Sequence, residues 1–177
     1  MDVSHVMDPT DAQPSPFDYE ECFEANYVRI ARAVARVVGD YARAEEIAVE
    51  AFWKLWRTPQ AHGENAPGWL YRTALRLGLN DLRDRERRSR YEKEAGRPPE
   101  TPTPEELRAA EQEREQVRRV LAALEPRDAE LLLLRHQGFR YDELAAAVEV
   151  KPASIGTLLA RAQQAFRKEY LRIYGEK

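Results

Sequence analysis

Apolar residues recur along most of this chain at spacings of three and four, the period of an amphipathic helix, so the pattern predicts a mostly helical protein. Phe23, Tyr27, Ile30, Ala31, Val34 and Val38 form the first stripe, and Gly39 ends it. A second helix is predicted from about Ala42 to Arg57, on which Ala44, Ile47, Ala48, Ala51, Phe52 and Leu55 make a stripe sufficient to pack it on its neighbours. Pro59, Gly63 and Pro67 mark a loop. A third helix is predicted to start near Pro67 and to run through Trp69, Leu70, Ala74, Leu77 and Leu82 into the charged run DLRDRERRSRYEKEA. Three helices in about 75 residues can close one small core, here assigned to residues 17–93.

The periodicity then stops. AGRPPETPTP, with its prolines and glycine, can be neither helix nor central strand, and the segment 94–103 is read as a flexible linker. Thr103-Pro104-Glu105-Glu106 is a helix-start signal, joining a threonine cap, a proline at the first position and acids at the positive end of the helix dipole. The helix it opens is predicted to run to Leu124, where Glu125-Pro126-Arg127-Asp128 breaks it. Shorter helices are predicted at about 127–137, 141–148 and 152–172, within a second domain spanning 104–177. Residues 1–16 lack periodicity and are expected to be a disordered tail. The expected fold is therefore all-α, a three-helix N-terminal bundle and a C-terminal helix-turn-helix domain joined by a linker.

Composition narrows the function classes. No run of eighteen apolar residues interrupts the 177-residue chain, so no membrane insertion is expected. Cys22 is the single cysteine and has no internal disulfide partner, and the N-terminus lacks the basic start and apolar core of a secretory signal. A reducing cytoplasm is the expected location. The net charge of −3 conceals a division: residues 1–16 carry three acids and no bases, 17–91 carry 13 bases against 12 acids, 92–117 carry 4 against 8, and 118–177 carry 11 against 8. Two mildly basic blocks flank an acidic stretch. His5, His62, His136 and Cys22 are scattered without metal-ligand spacing, and no glycine-rich phosphate loop or nucleophile elbow occurs. Neither an enzyme nor a cofactor is expected.

Three patterns remain. On the second helix, Val49, Trp53 and Trp56 lie off the packing stripe, interleaved with Glu45, Glu46, Glu50 and Lys54; such a face is either folded back on its own domain or a partner surface with aromatic anchors and a charged rim. On the third helix, Arg72, Arg76, Asn80, Arg83 and Arg87 stack on one face for nearly five turns, a basic ladder suited to a nucleic-acid backbone or else a solvated face. Trp69 and Tyr71 at its head are candidates to stack on unpaired bases. At the C-terminus a short helix with Leu144, Ala145 and Val148, a turn at Glu149-Val150-Lys151, and a helix with Ile155, Leu158, Ala162 and Phe166 inside have helix-turn-helix spacing. The outer face of that last helix is expected to offer Thr157, Leu159, Ala160, Arg161, Gln163, Gln164, Arg167 and Lys168.

Taken together, GDYARAEEIAVEAFWKLW, PGWLYRTALRLGLNDLRDRERR and LAALEPRDAELLLLRHQGFRYDELAAAVEVKPASIGTLLARA resemble, in order, the polymerase-binding helix, the promoter-melting helix and the second domain of a bacterial RNA polymerase sigma factor of the extracytoplasmic-function group of the sigma-70 family. The likeness spans residues Phe17 to about Tyr170. It implies core RNA polymerase bound by Glu46, Val49, Glu50, Trp53 and Trp56. It implies promoter DNA engaged at the −10 element by Trp69, Arg72, Arg76, Asn80, Arg83 and Arg87, and at the −35 element by the outer face of the last helix. An anti-sigma factor is the further partner implied. The chain departs from the family pattern where glutamine is usual (Val49), where the melting helix has asparagine and aspartate (Arg76, Asn80), at the turn glycine (Glu149) and at two serine or threonine caps (Arg140, Lys151). Its recognition helix is also less basic, which favours an alternative: a sigma-like regulator acting through protein contacts with weakened promoter recognition.

Overall fold

The computed structural model describes residues 17–94 and 105–175, and among them seven α-helices and no strand. The tail and residues 95–103 of the segment assigned to the linker, with the Thr103 cap, lie outside these residues. Helices α1 (Tyr19–Val38), α2 (Tyr41–Trp56) and α3 (Ala66–Glu94) form the first domain; α4 (Glu105–Ala123), α5 (Pro126–His136), α6 (Tyr141–Ala147) and α7 (Ile155–Tyr174) form the second. Every helix predicted from periodicity or from its start signal is present. The third runs one residue into the segment assigned to the linker.

Local chemistry fixes the ends. Asp18 and Asp40 cap α1 and α2, each carboxylate accepting from the backbone N–H three residues on, of Glu21 at 2.9 Å and Arg43 at 3.1 Å. Between these helices Gly39 sits in the left-handed region (φ 74°) and donates its N–H to the Ala35 carbonyl, which allows two helices to turn back on each other across two residues. The loop before α3 is pinned by His62, stacked on Phe17 at 4.5 Å with Nε2 2.9 Å from the Leu55 carbonyl oxygen.

Phe52, Ile30, Ile47, Leu55, Leu70, Leu75 and Val34 fill the first core and are all but inaccessible. Burying each such side chain contributes about 1.5–3 kcal/mol, so truncation of any one to alanine would cost a large part of a small domain's stability. Gly78 lets α3 approach α1 closely: a Cβ there would lie 3.3 Å from Val34 Cγ1. In the second domain Leu131, Leu134, Leu144, Ile155 and Ala162 play the corresponding part. None of α5, α6 and α7 starts on a serine, threonine, aspartate or asparagine side chain that caps it. At α6 the Glu143 carboxylate accepts from the Arg140 backbone N–H at 2.7 Å and so compensates, while α7 is entered through a 3-10 turn at Pro152–Ser154 with no side-chain cap. Glu149 adopts the left-handed conformation (φ 57°) that glycine would hold without strain.

The two domains are packed against each other. α3 lies along α4, α5 and α6, and the buried apolar residues of both halves make one continuous cluster. Tyr71 of α3 meets Phe139 edge-on, with ring centroids 5.4 Å apart. Two sequence-based expectations fail here. Tyr71 is buried and unavailable for stacking on bases, and Leu159 is buried at 5% exposure, because the apolar stripe of α7 runs through Ile155, Leu159 and Ala162 rather than leaving Leu159 outside.

Candidate functional surfaces

The α2 face is open. The stripe Ala44, Ile47, Ala48, Ala51, Phe52 and Leu55 satisfies the domain core, and the second apolar set stays in solvent: Val49, Trp53 and Trp56 are 51%, 54% and 60% exposed. They are nevertheless held in place. Trp56 packs edge-on against Tyr19 at 5.2 Å, the Tyr19 hydroxyl donates to the Phe52 carbonyl at 2.8 Å, and the Arg57 guanidinium lies 4.6 Å over the Trp53 ring. Burial pushes the Tyr19 hydroxyl's pKa up, with the nearby Cys22 adding to it, so the tyrosine stays a neutral donor. The rim is polar: Glu50 pairs with Lys54 at 3.4 Å, and Glu46 with Arg43 at 2.6 Å. Two indoles, a valine and a charged border, presented on a rigid helix, have the composition of a protein-binding hot spot.

The α3 face is partly covered. Arg72 donates to the Ala147 carbonyl and lies 3.3 Å from a Glu149 carboxylate oxygen; Arg76 donates to Glu130 Oε2 at 2.9 Å; Arg83 donates to the carbonyls of Ala122 at 3.3 Å and Leu124 at 3.2 Å. Burial lowers the Arg83 pKa, partly countered by Glu125. Arg76, although paired, is exposed, and so are Asn80 and Arg87, Arg87 paired with Asp84 on its own helix. Trp69 is half-buried against the core at the head of the helix. Sequence reasoning therefore placed these residues on one face correctly and missed what lies on it. It also missed Glu130, whose side chain is only 4% exposed, and Arg118, which is buried as well. Glu130 stands alone among apolar neighbours in AELLLL, a signal that could have marked it; Arg118 reaches Glu111 at 3.1 Å, Glu115 at 3.2 Å and the Arg36 carbonyl at 3.4 Å, so it ties α4 to the end of α1.

The outer face of α7 keeps Thr157, Ala160, Arg161, Gln164, Arg167 and Lys168 exposed. Gln163 also reaches solvent but turns into a cavity of about 1010 Å³ between the domains, lined by Val117, Leu121, Leu132, Leu133 and Phe166. Among the described residues no group of three or more histidine, cysteine, aspartate or glutamate side chains could hold a metal ion, and no helix is long and apolar enough to cross a membrane.

Comparison with known proteins aligns with both domains. Residues 22–88 match the family model described as Sigma-70 region 2, and residues 114–165 match that described as Sigma-70, region 4. The chain is 28% identical over 174 residues to the ECF RNA polymerase sigma factor SigE of Mycolicibacterium smegmatis, an alignment that covers 94% of this chain and 66% of the relative. The chain thus spans just under two thirds of that relative's length. Among solved structures, the sigma factor RpoE in complex with the anti-sigma factor NepR from Bartonella quintana superposes with a TM-score of 0.52 and 17% identity, covering 89% of this chain and 98% of that one. At that identity the likeness is one of fold.

Proposed function

Because the chain belongs to the sigma-70 family, in its extracytoplasmic-function group, we propose that it binds core RNA polymerase and directs initiation at specific promoters. The members of this family are initiation factors rather than enzymes, and the chain's part is recognition. The observation that carries the proposal is the open α2 face, because a plain DNA-binding repressor has no need of Val49, Trp53 and Trp56 held rigidly in solvent beside Glu46 and Glu50. That face docks on the polymerase. Trp69, Arg72, Arg76, Asn80, Arg83 and Arg87 then engage the opened −10 strand through phosphate contacts and base stacking.

The exposed face of α7 reads the −35 duplex. Gln164 can make a bidentate contact to adenine, Ala160 touches a thymine methyl, and Thr157, Arg161, Arg167 and Lys168 hold phosphates. With Leu159 in the core and Gln163 turned toward the interdomain cavity, this reading face is narrower than the sequence alone suggests. An anti-sigma factor is the partner expected to restrain it, by analogy with the solved complex. Transcription reconstituted from core polymerase, the purified chain and genomic DNA of the source organism tests the reading: discrete, factor-dependent start sites are expected. Binding to core polymerase without any such starts would favour a regulator that works through protein contacts, the reading that the narrow α7 face supports.

A further inference from the structure

We propose that the α2 face binds a second copy of this chain, α2 packing antiparallel against α2 across a two-fold axis, in a weak dimer that forms on the surface assigned to the polymerase. The dimer stands on the geometry of α2 itself; only its competition with the polymerase rests on the reading of α2 as the docking face.

Val49, Trp53 and Trp56 follow one another at spacings of four and three, the seam by which one helix packs on another. All three are more than half exposed, and the domain has already filled its core from the opposite stripe of α2. Beside the seam a cavity of about 360 Å³ opens between α1 and α2, lined by Tyr19, Phe23, Val49, Phe52, Trp53 and Trp56. It is a hole with room for an aromatic ring, and the seam next to it carries two. A surface that offers both knobs and a hole satisfies itself through a two-fold axis, in which every contact is made twice.

Charge chooses the direction. Glu50 and Arg57 are seven residues apart and so border the seam on the same side, the acid within α2 and the base just past its end. A parallel copy would set like charges together, and a partner of a single sign would be repelled by one end of this border. Turned antiparallel about an axis near Trp53, the seam sets Trp53 against its counterpart, Val49 against Trp56 of the second copy and Glu50 against Arg57 of the second copy, because each pair is nearly symmetric about that residue. Both members of the ion pair are available. Arg57 is exposed and rests over the Trp53 ring, and Glu50 holds Lys54 at 3.4 Å between side chains 45% and 41% exposed, a pair that contributes little and exchanges readily.

Area sets the strength. A fully buried aromatic side chain covers about 150–250 Å², and the two indoles are 54% and 60% exposed, so with Val49 and the border two copies bury on the order of 1,000 Å² at most. That is the small end of specific interfaces, where association is transient, and a dissociation constant in the micromolar range or weaker follows. The chain is then a monomer when scarce and partly withdrawn from the polymerase when abundant.

Sedimentation equilibrium of the full chain, from one to several hundred micromolar, tests the dimer without polymerase. The mass is expected to rise from that of one chain toward that of two. Trp53→Glu is expected to weaken association by at least about thirtyfold. Glu50→Arg and Arg57→Glu each make a chain that repels its own copies and are expected to weaken association by about tenfold or more; an equimolar mixture of the two variants, in which every border pair is again of opposite sign, is expected to restore it. A chain that stays monomeric throughout would overturn the dimer, and so would association that survives Trp53→Glu or a mixture that associates no better than either variant alone. When core polymerase is titrated with the chain at dimer-forming concentrations, light scattering is expected to find one chain per polymerase, and two chains retained would overturn the shared face. Polymerase that takes up no chain would remove the docking role of α2, and the dimer is then decided by sedimentation alone.

Discussion

α2 and α3 belong to one three-helix bundle, each packs one stripe on its core, and each carries a second pattern that its own domain does not use. On α2 that pattern is apolar and meets only solvent and its own domain; on α3 it is cationic, and three of its arginines, Arg72, Arg76 and Arg83, are bonded to the second domain. The expectation from composition alone runs the other way, since tryptophans seek burial and arginines seek water. The difference teaches that a leftover face is defined by what it lacks within its domain, and that its partner must be sought among groups it can satisfy. The indoles find no apolar surface on α4 to α7, whereas the arginines find helix-end carbonyls and two carboxylates there.

The largest expected effect tests the open side. Trp53→Glu should weaken binding to core RNA polymerase by about 2–4 kcal/mol, read by titration, with the thermal midpoint nearly unchanged. A midpoint lowered by ten degrees or more would assign Trp53 to the core and erase the contrast between the two faces. On the covered side, Arg76→Ala leaves the buried Glu130 carboxylate without its cation and should cost about 1–3 kcal/mol in urea denaturation, where Trp53→Glu costs almost nothing. Gly39→Ala sharpens the domain contact: the residue is left-handed, and a Cβ would lie 2.7 Å from Arg118 Cζ, so a loss of about 1–2 kcal/mol in the same assay is expected. Glu149→Gly has the smallest effect and the opposite sign. It relieves the left-handed strain, worth about 1 kcal/mol, and gives up only a screened ion pair with Arg72, so the thermal midpoint should rise slightly.

Much of this molecule could be read from its residues because helices announce themselves locally. Apolar spacing together with helix-start signals such as Thr103-Pro104-Glu105-Glu106 located all seven, and Gly39, Pro59, Pro126 and Gly138 marked breaks between them. The open α2 stripe was also legible, since its residues exceed what one packing face needs. What the sequence concealed is long-range. The acceptors of Arg72 and Arg83 are backbone carbonyls, which every residue carries, so no residue type advertises them. Tyr71 is enclosed by Phe139, 68 positions away, and nothing near either residue signals the encounter. Leu158 and Leu159 are adjacent on α7 and both fit an apolar stripe, and only the placement of the other helices selects Leu159 for the interior.

The placement of the three tryptophans has an optical consequence. Trp53, Trp56 and Trp69 all belong to the first domain, so the chain's indole emission reports on that half alone, while far-ultraviolet circular dichroism averages over the helices of both. Because the buried apolar residues of both halves form one cluster, the chain should unfold as a single cooperative unit, and the two signals should trace the same melting curve. Once Glu130→Lys, which sets a second cation against Arg76, frees the halves, the curves should part. The protein thus carries a built-in gauge of its own domain coupling, readable without labels.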